Sequence, residues 1–409
     1  MPDNALVTDT GWSDPAAGRH AADPQLADDS LLAELDAAAP IGLLAVLKRR
    51  LHDEIAARSV SLLLVEYGLQ LLERLDASRP DRSVEELPIE GTRPGAAFAV
   101  QHAEVVPEPD GFRVFMPVTV REERFGVLEV ELPAEPSAQV LAHLRHTAVV
   151  LGYVLVSATR YTDLYERVRR KEPFALAAEM QWSLLPVTAF SAAGFAVAGQ
   201  LIPAYEVGGD NFDYAVEADH VTVTCTDAMG HQLRAAILGS LAVSAMRNAR
   251  RGGGGLVEQA MQADRAVYGQ FGGEQFVTAL LLDIDLTTGA VTAVNAGAPG
   301  PMRQRAGTVE ELSLDPQLPL GLFEQSRYVA QSGRLLPGDR LLLSSDGLLE
   351  ARRLGSQEEY AEARFAEVLT GTSGDSPQET VRAVIEDLQA WGGDLRDDAT
   401  LLCFDYHGR

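Results

Sequence analysis

Acidic residues set against short apolar runs in the second half of the chain restrict its fold more than any other feature. Asp227 follows such a run in TCTDAMGH, and Asp346 follows another in LLLSSDGLLE. Asp397 and Asp398 precede the last run in RDDATLL, and Asp210 and Asp213 stand in GGDNFD. Short apolar runs bounded by turn-forming residues read as buried strands. Strand ends are where a sheet can aim side chains from distant parts of a chain into one cleft. Two carboxylates about 4 Å apart repel by about 4 kcal/mol at an effective dielectric of roughly 20. Two divalent cations would cancel that repulsion, and hard oxygen ligands suit Mg²⁺ or Mn²⁺. An Asp-Gly or a Gly-Gly-Asp is also an ordinary turn. The chemistry alone leaves a metal cluster and a set of turns both open.

Composition narrows the class of function. The chain has 409 residues, 34 Lys plus Arg against 59 Asp plus Glu, and a net charge of −25. That balance argues against a nucleic-acid binder or a protein docked on anionic lipid. Apolar residues at 46% allow a packed core. Cys225 and Cys403 both lie in apolar runs and read as buried side chains, not a disulfide framework or zinc site. The N-terminus carries acids and lacks a signal-peptide core. The longest apolar-and-small run, about residues 147–158, is short for a bilayer span and reads as a buried helix. A cytoplasmic protein without a membrane partner is expected.

The pattern along the chain predicts four regions. Residues 1–28 lack any hydrophobic period and are expected to be disordered. Residues 29–158 show helical periodicity from Ser30, a strand at 59–67, a hairpin over 112–132 and a closing apolar helix at 138–157. Residues 159–186 form a helical connector: one helix ends near Glu172 and a second begins at Pro173 or Phe174. Its apolar stripe could pair with a second copy or pack on its own domain. Residues 187–409 are richer in strands, several following one another directly, which favours antiparallel sheets covered by helices. Gly252 to Gly255 is a break between helices. Ser376, Pro377 and Glu379 form a helix N-terminal signature.

Several ordered stretches of residues 174–406 resemble the SpoIIE-type branch of the metal-dependent protein phosphatases, relatives of protein phosphatase 2C. Residues 177–186 read AAEMQWSLLP, 203–213 PAYEVGGDNFD and 226–236 TDAMGHQLRAA. FVTALLLDID, NAG, LPLGL, LLPGDRLLLSSDGLLEA and DDATLL follow in family order. The resemblance implies an α/β/β/α sandwich, two packed antiparallel sheets flanked by helices. It implies two ions, Mn²⁺ or Mg²⁺, bridged by Asp227, with the Ala228 carbonyl on the first and Asp346 and Asp397 on the second. Asp397 is preferred over Asp398 by alignment. Asp210 would bind metal or orient its waters, and metal-activated water would attack phosphorus without a covalent phosphoenzyme. Gly208, Gly209 and Gly230 would let backbone pass close to the site.

The chain departs from the family at Ala298, where His is usual, at Gln232, where Gly is usual, and at Thr226, in place of Gly before the bridging Asp. His231 matches the family's His and also reads as a surface residue at a helix start. The region before the connector resembles a GAF sensor domain, a smaller α+β domain. No Cys or His is placed there for haem or bilin, and its ligand is not legible. The resemblance implies a serine/threonine protein phosphatase acting on a phosphorylated anti-sigma-factor antagonist of STAS type in partner switching, regulated by the N-terminal domain; a homodimer through the connector and N-terminal domain is expected from the connector's apolar stripe. The alternative is a phosphatase fold kept as a catalytically weak or inactive interaction module. Retention of the mutually repelling acids favours the enzyme.

Overall fold

The computed structural model describes residues 24–76, 81–202, 208–394 and 398–408. The predicted disordered tail lies largely outside this set, but Pro24–Ala37 is already helical (α1), ahead of the expected start at Ser30. Helix α2 (Leu43–Ile55) follows. Strands β1 (Ser59–Val65), β2 (Leu71–Asp76) and β3 (Glu85–Pro88) lead to helix α3 (Arg93–Val100). Strands β4 (Glu104–Glu108), β5 (Gly111–Val120) and β6 (Glu123–Leu132) and helix α4 (Ala138–Ala158) complete the first domain. Its antiparallel sheet has the order β3-β2-β1-β6-β5-β4. One face packs on α1, α2 and α4 through Leu47, Leu62, Leu128 and Leu151, and the other on α3 through Leu63, Phe98 and Phe115. Among the described residues α4 alone has the length and hydropathy of a membrane span. Its Leu144, Leu151 and Leu155 instead fill the core against the sheet.

The connector differs from the sequence expectation. Only Leu164–Val168 (α5) and Leu176–Leu184 (α6) are helical. Phe174 stands outside α6, stacked with Trp182 and edge-on to Tyr67 at the end of the first sheet. Tyr67 N–H donates to the Arg169 carbonyl, and Arg169 and Arg170 lie over the Tyr67 and Phe174 rings. These contacts, with Pro173, favour a packed turn over a continued helix. The buried face of α6, Ala177, Ala178 and Gln181, belongs to its own C-terminal domain.

The C-terminal domain is the expected sandwich. Strands β7 (Ala189–Ala192), β8 (Phe195–Ile202), β9 (Asn211–Val216) and β10 (His220–Ala228) precede helices α7 (Gln232–Arg251) and α8 (Leu256–Phe271). Strands β11 (Val277–Asp285), β12 (Ala290–Ala296), β13 (Met302–Arg305), β14 (Thr308–Glu311), β15 (Gln331–Arg334) and β16 (Asp339–Ser344) come next. A one-turn helix α9 (Asp346–Leu349), helices α10 (Ala361–Gly371) and α11 (Pro377–Trp391) and strand β17 (Ala399–Tyr406) close the domain. The sheets β15-β12-β11-β10-β9 and β14-β13-β16-β17-β8-β7 are antiparallel. They face each other through Phe212, Val223, Leu282, Leu343, Leu402 and Phe404. Helices α7 and α8 cover one outer face through Leu238, Val243 and Ala263, and α10 and α11 the other through Phe365, Val384 and Leu388.

The domains also meet at the β5–β6 hairpin. Its two-residue turn, Arg121 and Glu122, has positive φ at both positions, as a type I′ turn requires, yet neither is glycine. Glu122 accepts from the Ser191 hydroxyl and the Gln378 amide, and Arg124 lies 3.9 Å from Glu379. Glu379 is also half of the α11 capping box, with Ser376 accepting from its backbone N–H. Ser376→Ala removes that acceptor and is expected to cost about 1 kcal/mol of stability. A urea midpoint equal to that of the parent chain contradicts the capping assignment.

A carboxylate cluster where the two sheets converge

The strand register brings the predicted acids to one end of the sandwich. Asp227 is the penultimate residue of β10, opposite Thr278 on β11, and Ala228 ends the strand. On its other side Thr226 pairs with Asn211, the first residue of β9, so Asp210 enters beside Asp227. The second sheet contributes Asp346, which opens α9 directly after β16, and Asp398, which immediately precedes β17. Asp227 is half-buried and Asp346 is exposed, whereas Asp210 is buried.

Asp210 joins the two sheets. Its Oδ2 accepts from the Ser345 hydroxyl at 2.5 Å, and Ser345 Oγ accepts from the Thr400 N–H at 2.9 Å. The Asp398 carboxylate accepts from the backbone N–H groups of Gly209 and Asp210 at 2.8 and 2.7 Å. Burial pushes the Asp210 carboxyl well above the usual carboxylate range. The charges of Asp227 and Asp398 add to this, then Asp346, while the Ser345 hydrogen bond opposes it. The same crowding reaches Cys225, buried beneath the cluster, whose thiol is raised by burial first and then by Asp210, Asp227 and Asp346.

Close backbone approach makes the loop possible. A Cβ at Gly209 would stand 2.7 Å from the Ala228 carbonyl oxygen, and one at Gly208 would stand 2.6 Å from the Gln232 nitrogen. Gln181 of α6 is fully buried and donates to the Gly208 carbonyl, and its Oε1 accepts from Asn211 Nδ2. The connector therefore touches the Asp210 loop directly, a contact the sequence pattern did not reveal.

Other predicted residues fall elsewhere. Asp397 and residues 203–207 of the PAYEVGG stretch lie outside the described residues. Asp213 leaves the cluster: it lies on β9, buried, paired with Arg247 and Arg250. The alternation of β9 separates it from Asp210, a strand that the motif's turn-like spelling concealed. His231 is exposed at the start of α7 and makes no capping bond. Ala298 closes a turn with Asn295, its N–H and carbonyl both bonded to that side chain. Among the described residues no three His, Cys, Asp or Glu side chains converge closely enough to hold one ion.

Residues 217–407 match the family described as stage II sporulation protein E, SpoIIE. The strand-rich second half of the chain is thus similar to the SpoIIE family over 217–407. The match takes in Asp227, Asp346 and Asp397 and begins after Asp210 and α6. The chain is also 25% identical over 150 residues to the phosphoserine phosphatase RsbP of Bacillus subtilis, a stretch covering 36% of this chain and 37% of that relative. The match thus spans little more than a third of the relative's length. Among solved structures it is similar to the SiaA-PP2C domain of Pseudomonas aeruginosa, 23% identical, with 56% of this chain and 94% of that chain covered and a TM-score of 0.49. It is similar as well to the PP2C phosphatase domain of SpoIIE from Bacillus subtilis, 19% identical, covering 54% and 66%, with a TM-score of 0.46.

The departure at Gln232 has a visible strain. Gln232 opens α7 with φ of 58°, the left-handed region that favours glycine. Gln232→Gly is expected to relieve about 1 kcal/mol and to raise the melting midpoint by about 2–4 °C. A lowered midpoint would show that the Gln232 side chain stabilises the site entrance.

Proposed function

We propose that the C-terminal domain is a metal-dependent serine/threonine protein phosphatase that hydrolyses phosphoserine and phosphothreonine esters. The observation that carries this reading is the convergence of Asp210, Asp227, Asp346 and Asp398 from both sheets at one end of a SpoIIE-type sandwich. The chemistry of the donors suits a divalent ion: they are hard oxygens, and the strongest charges acting on buried Asp210 are all negative. Asp227, the Ala228 carbonyl, Asp346 and Asp397 would hold two ions, Mn²⁺ or Mg²⁺. When bound, such ions neutralise phosphate charge and lower the pKa of water. Asp210 would act from a position fixed by Ser345, and Asp398 holds the loop that carries it. Asp346 and Asp227 are both reachable by solvent.

The phosphoserine phosphatase activity of RsbP supports a phosphoprotein substrate, and the family resemblance favours a phosphorylated anti-sigma-factor antagonist of STAS type in a partner-switching pathway. Regulation by the N-terminal domain has a physical route. Tyr67 packs its ring against Trp182 at 4.7 Å and its carbonyl accepts from Gln200 on β8. Trp182 is next to Gln181, which grips the Gly208 carbonyl. A shift of the first domain would thus bear on the Asp210 loop, a coupling of two sites through one packed element. A homodimer would use the outward face of α4, where Val149 and Tyr153 are exposed, since α6 is committed to its own domain.

Phosphate release from p-nitrophenyl phosphate with Mn²⁺, and its loss with chelator, tests the central reading. Asp227→Asn is expected to abolish turnover, and Mn²⁺ to raise the melting midpoint of the parent chain by preferential binding to the folded state. Absence of both turnover and a midpoint shift at millimolar Mn²⁺ would favour the alternative, an inactive interaction module. For the regulatory route, Tyr67→Ala is expected to change the rate of the full chain several-fold with its circular dichroism retained. An unaltered rate would reduce the N-terminal domain to a tether.

A further inference from the structure

A buried carboxylate remote from the cluster holds a loop that borders it. Asp264 on α8 is 2% exposed and takes part in no ion pair among the described residues. Its Oδ1 accepts from the Gly321 N–H at 2.8 Å and from the Tyr328 hydroxyl at 3.1 Å. Those two donors, from the middle and the end of one excursion between β14 and β15, are brought together on α8. The base of that excursion is pinched by Gln317, whose side chain accepts from the Val329 N–H at 2.6 Å and donates to the Val329 carbonyl at 3.0 Å. Residues 317–329 thus form a closed surface loop of the kind whose ends meet and whose interior is packed by its own side chains. Gly321 lets it sit on α8: φ is 86°, and a Cβ there would fall 2.1 Å from Val267 Cγ1.

The loop lies next to the carboxylate cluster. Leu320 exchanges both backbone hydrogen bonds with Val277 on β11, and Val277 pairs with Ala228 on β10. Two strand spacings, about 10 Å, therefore separate Leu320 from the residue that follows Asp227. An extended peptide covers that distance in about three residues. Leu318 and Phe323 project from the loop, 47% and 54% exposed, and Met229 beside the cluster is 46% exposed.

We infer that Asp264 is a positioning residue for protein-substrate recognition: it sets the 317–329 loop so that Leu318 and Phe323 meet the polypeptide flanking a phosphoserine bound at the cluster. This role rests on the phosphatase reading above. A small aryl phosphate reaches the cluster without reaching the loop, whereas a phosphoprotein engages both.

The test compares Asp264→Ala, Asp264→Asn and the parent full chain on phosphoserine-bearing casein and on p-nitrophenyl phosphate, with Mn²⁺. Asp264→Ala is expected to raise KM for casein about tenfold with kcat within about twofold. The rise in KM for the aryl phosphate should be smaller by at least fivefold. Asp264→Asn, which keeps an acceptor oxygen, should restore most of the casein KM. Hydrogen exchange at Gly321 and Tyr328 should quicken in Asp264→Ala and not in Asp264→Asn. Equal losses on both substrates, or a casein KM unmoved while exchange quickens, overturn the role of Asp264 and leave the phosphatase reading standing. A parent chain inactive on both substrates overturns the two together.

Discussion

The hydrogen bond from Ser345 to Asp210 ties the two sheets of the C-terminal domain together where they carry their acids. Ser345 follows β16 in one sheet, and Asp210 precedes β9 in the other. Asp398, at the mouth of β17, grips the same loop through two backbone N–H groups. Without these contacts a buried carboxylate among like charges would have no reason to stay inside. With them, its position is set by neutral donors, while the strongest charges acting on it are negative. The elevated Asp210 carboxyl records that imbalance.

The same loop is held from a third direction by Gln181. A fully buried amide spends its donor on the Gly208 carbonyl and its acceptor on Asn211, so the end of the connector and the cluster are one packed unit. The aromatic contact of Trp182 with Tyr67 extends that unit into the first domain. The type I′ turn at Arg121 and Glu122 forms a second point of attachment, on the far side of β8, and it is built from residues that do not favour its geometry. The described contacts between the domains thus combine aromatic packing at Tyr67 with polar bonds at Glu122 and Arg124.

Two kinds of buried acid occur in the domain and they behave differently. Asp213 is neutralised by Arg247 and Arg250 and serves packing between β9 and α7. Asp264 accepts from an N–H and a hydroxyl and Asp210 from a hydroxyl, and neither is paired with a cation in the described ion pairs. Proximity in the sequence is no guide to the difference, since Asp210 and Asp213 are three residues apart in one motif.

Much of the architecture was legible in the chain itself. Apolar runs such as VTVTC and LLLSS are long enough to be strands and too short to be helices, and β10 and β16 lie where those runs predict. The order of motifs resembles that of the SpoIIE family, which matches 217–407, and Ser376 with Glu379 announced α11 by a local rule. Other features depended on contacts between distant segments. The connector reads as helix because its charged residues favour one, yet Tyr67, over a hundred residues earlier, draws Phe174 out of it. β9 is hidden in a sequence spelled like a turn and becomes a strand only through pairing with β10. The roles of Gln181, Ser345, Asp264 and Asp398 follow from which backbone groups the fold leaves needing a partner. Local propensity and periodicity determine elements; the satisfaction of buried polar groups is decided only when the elements have packed.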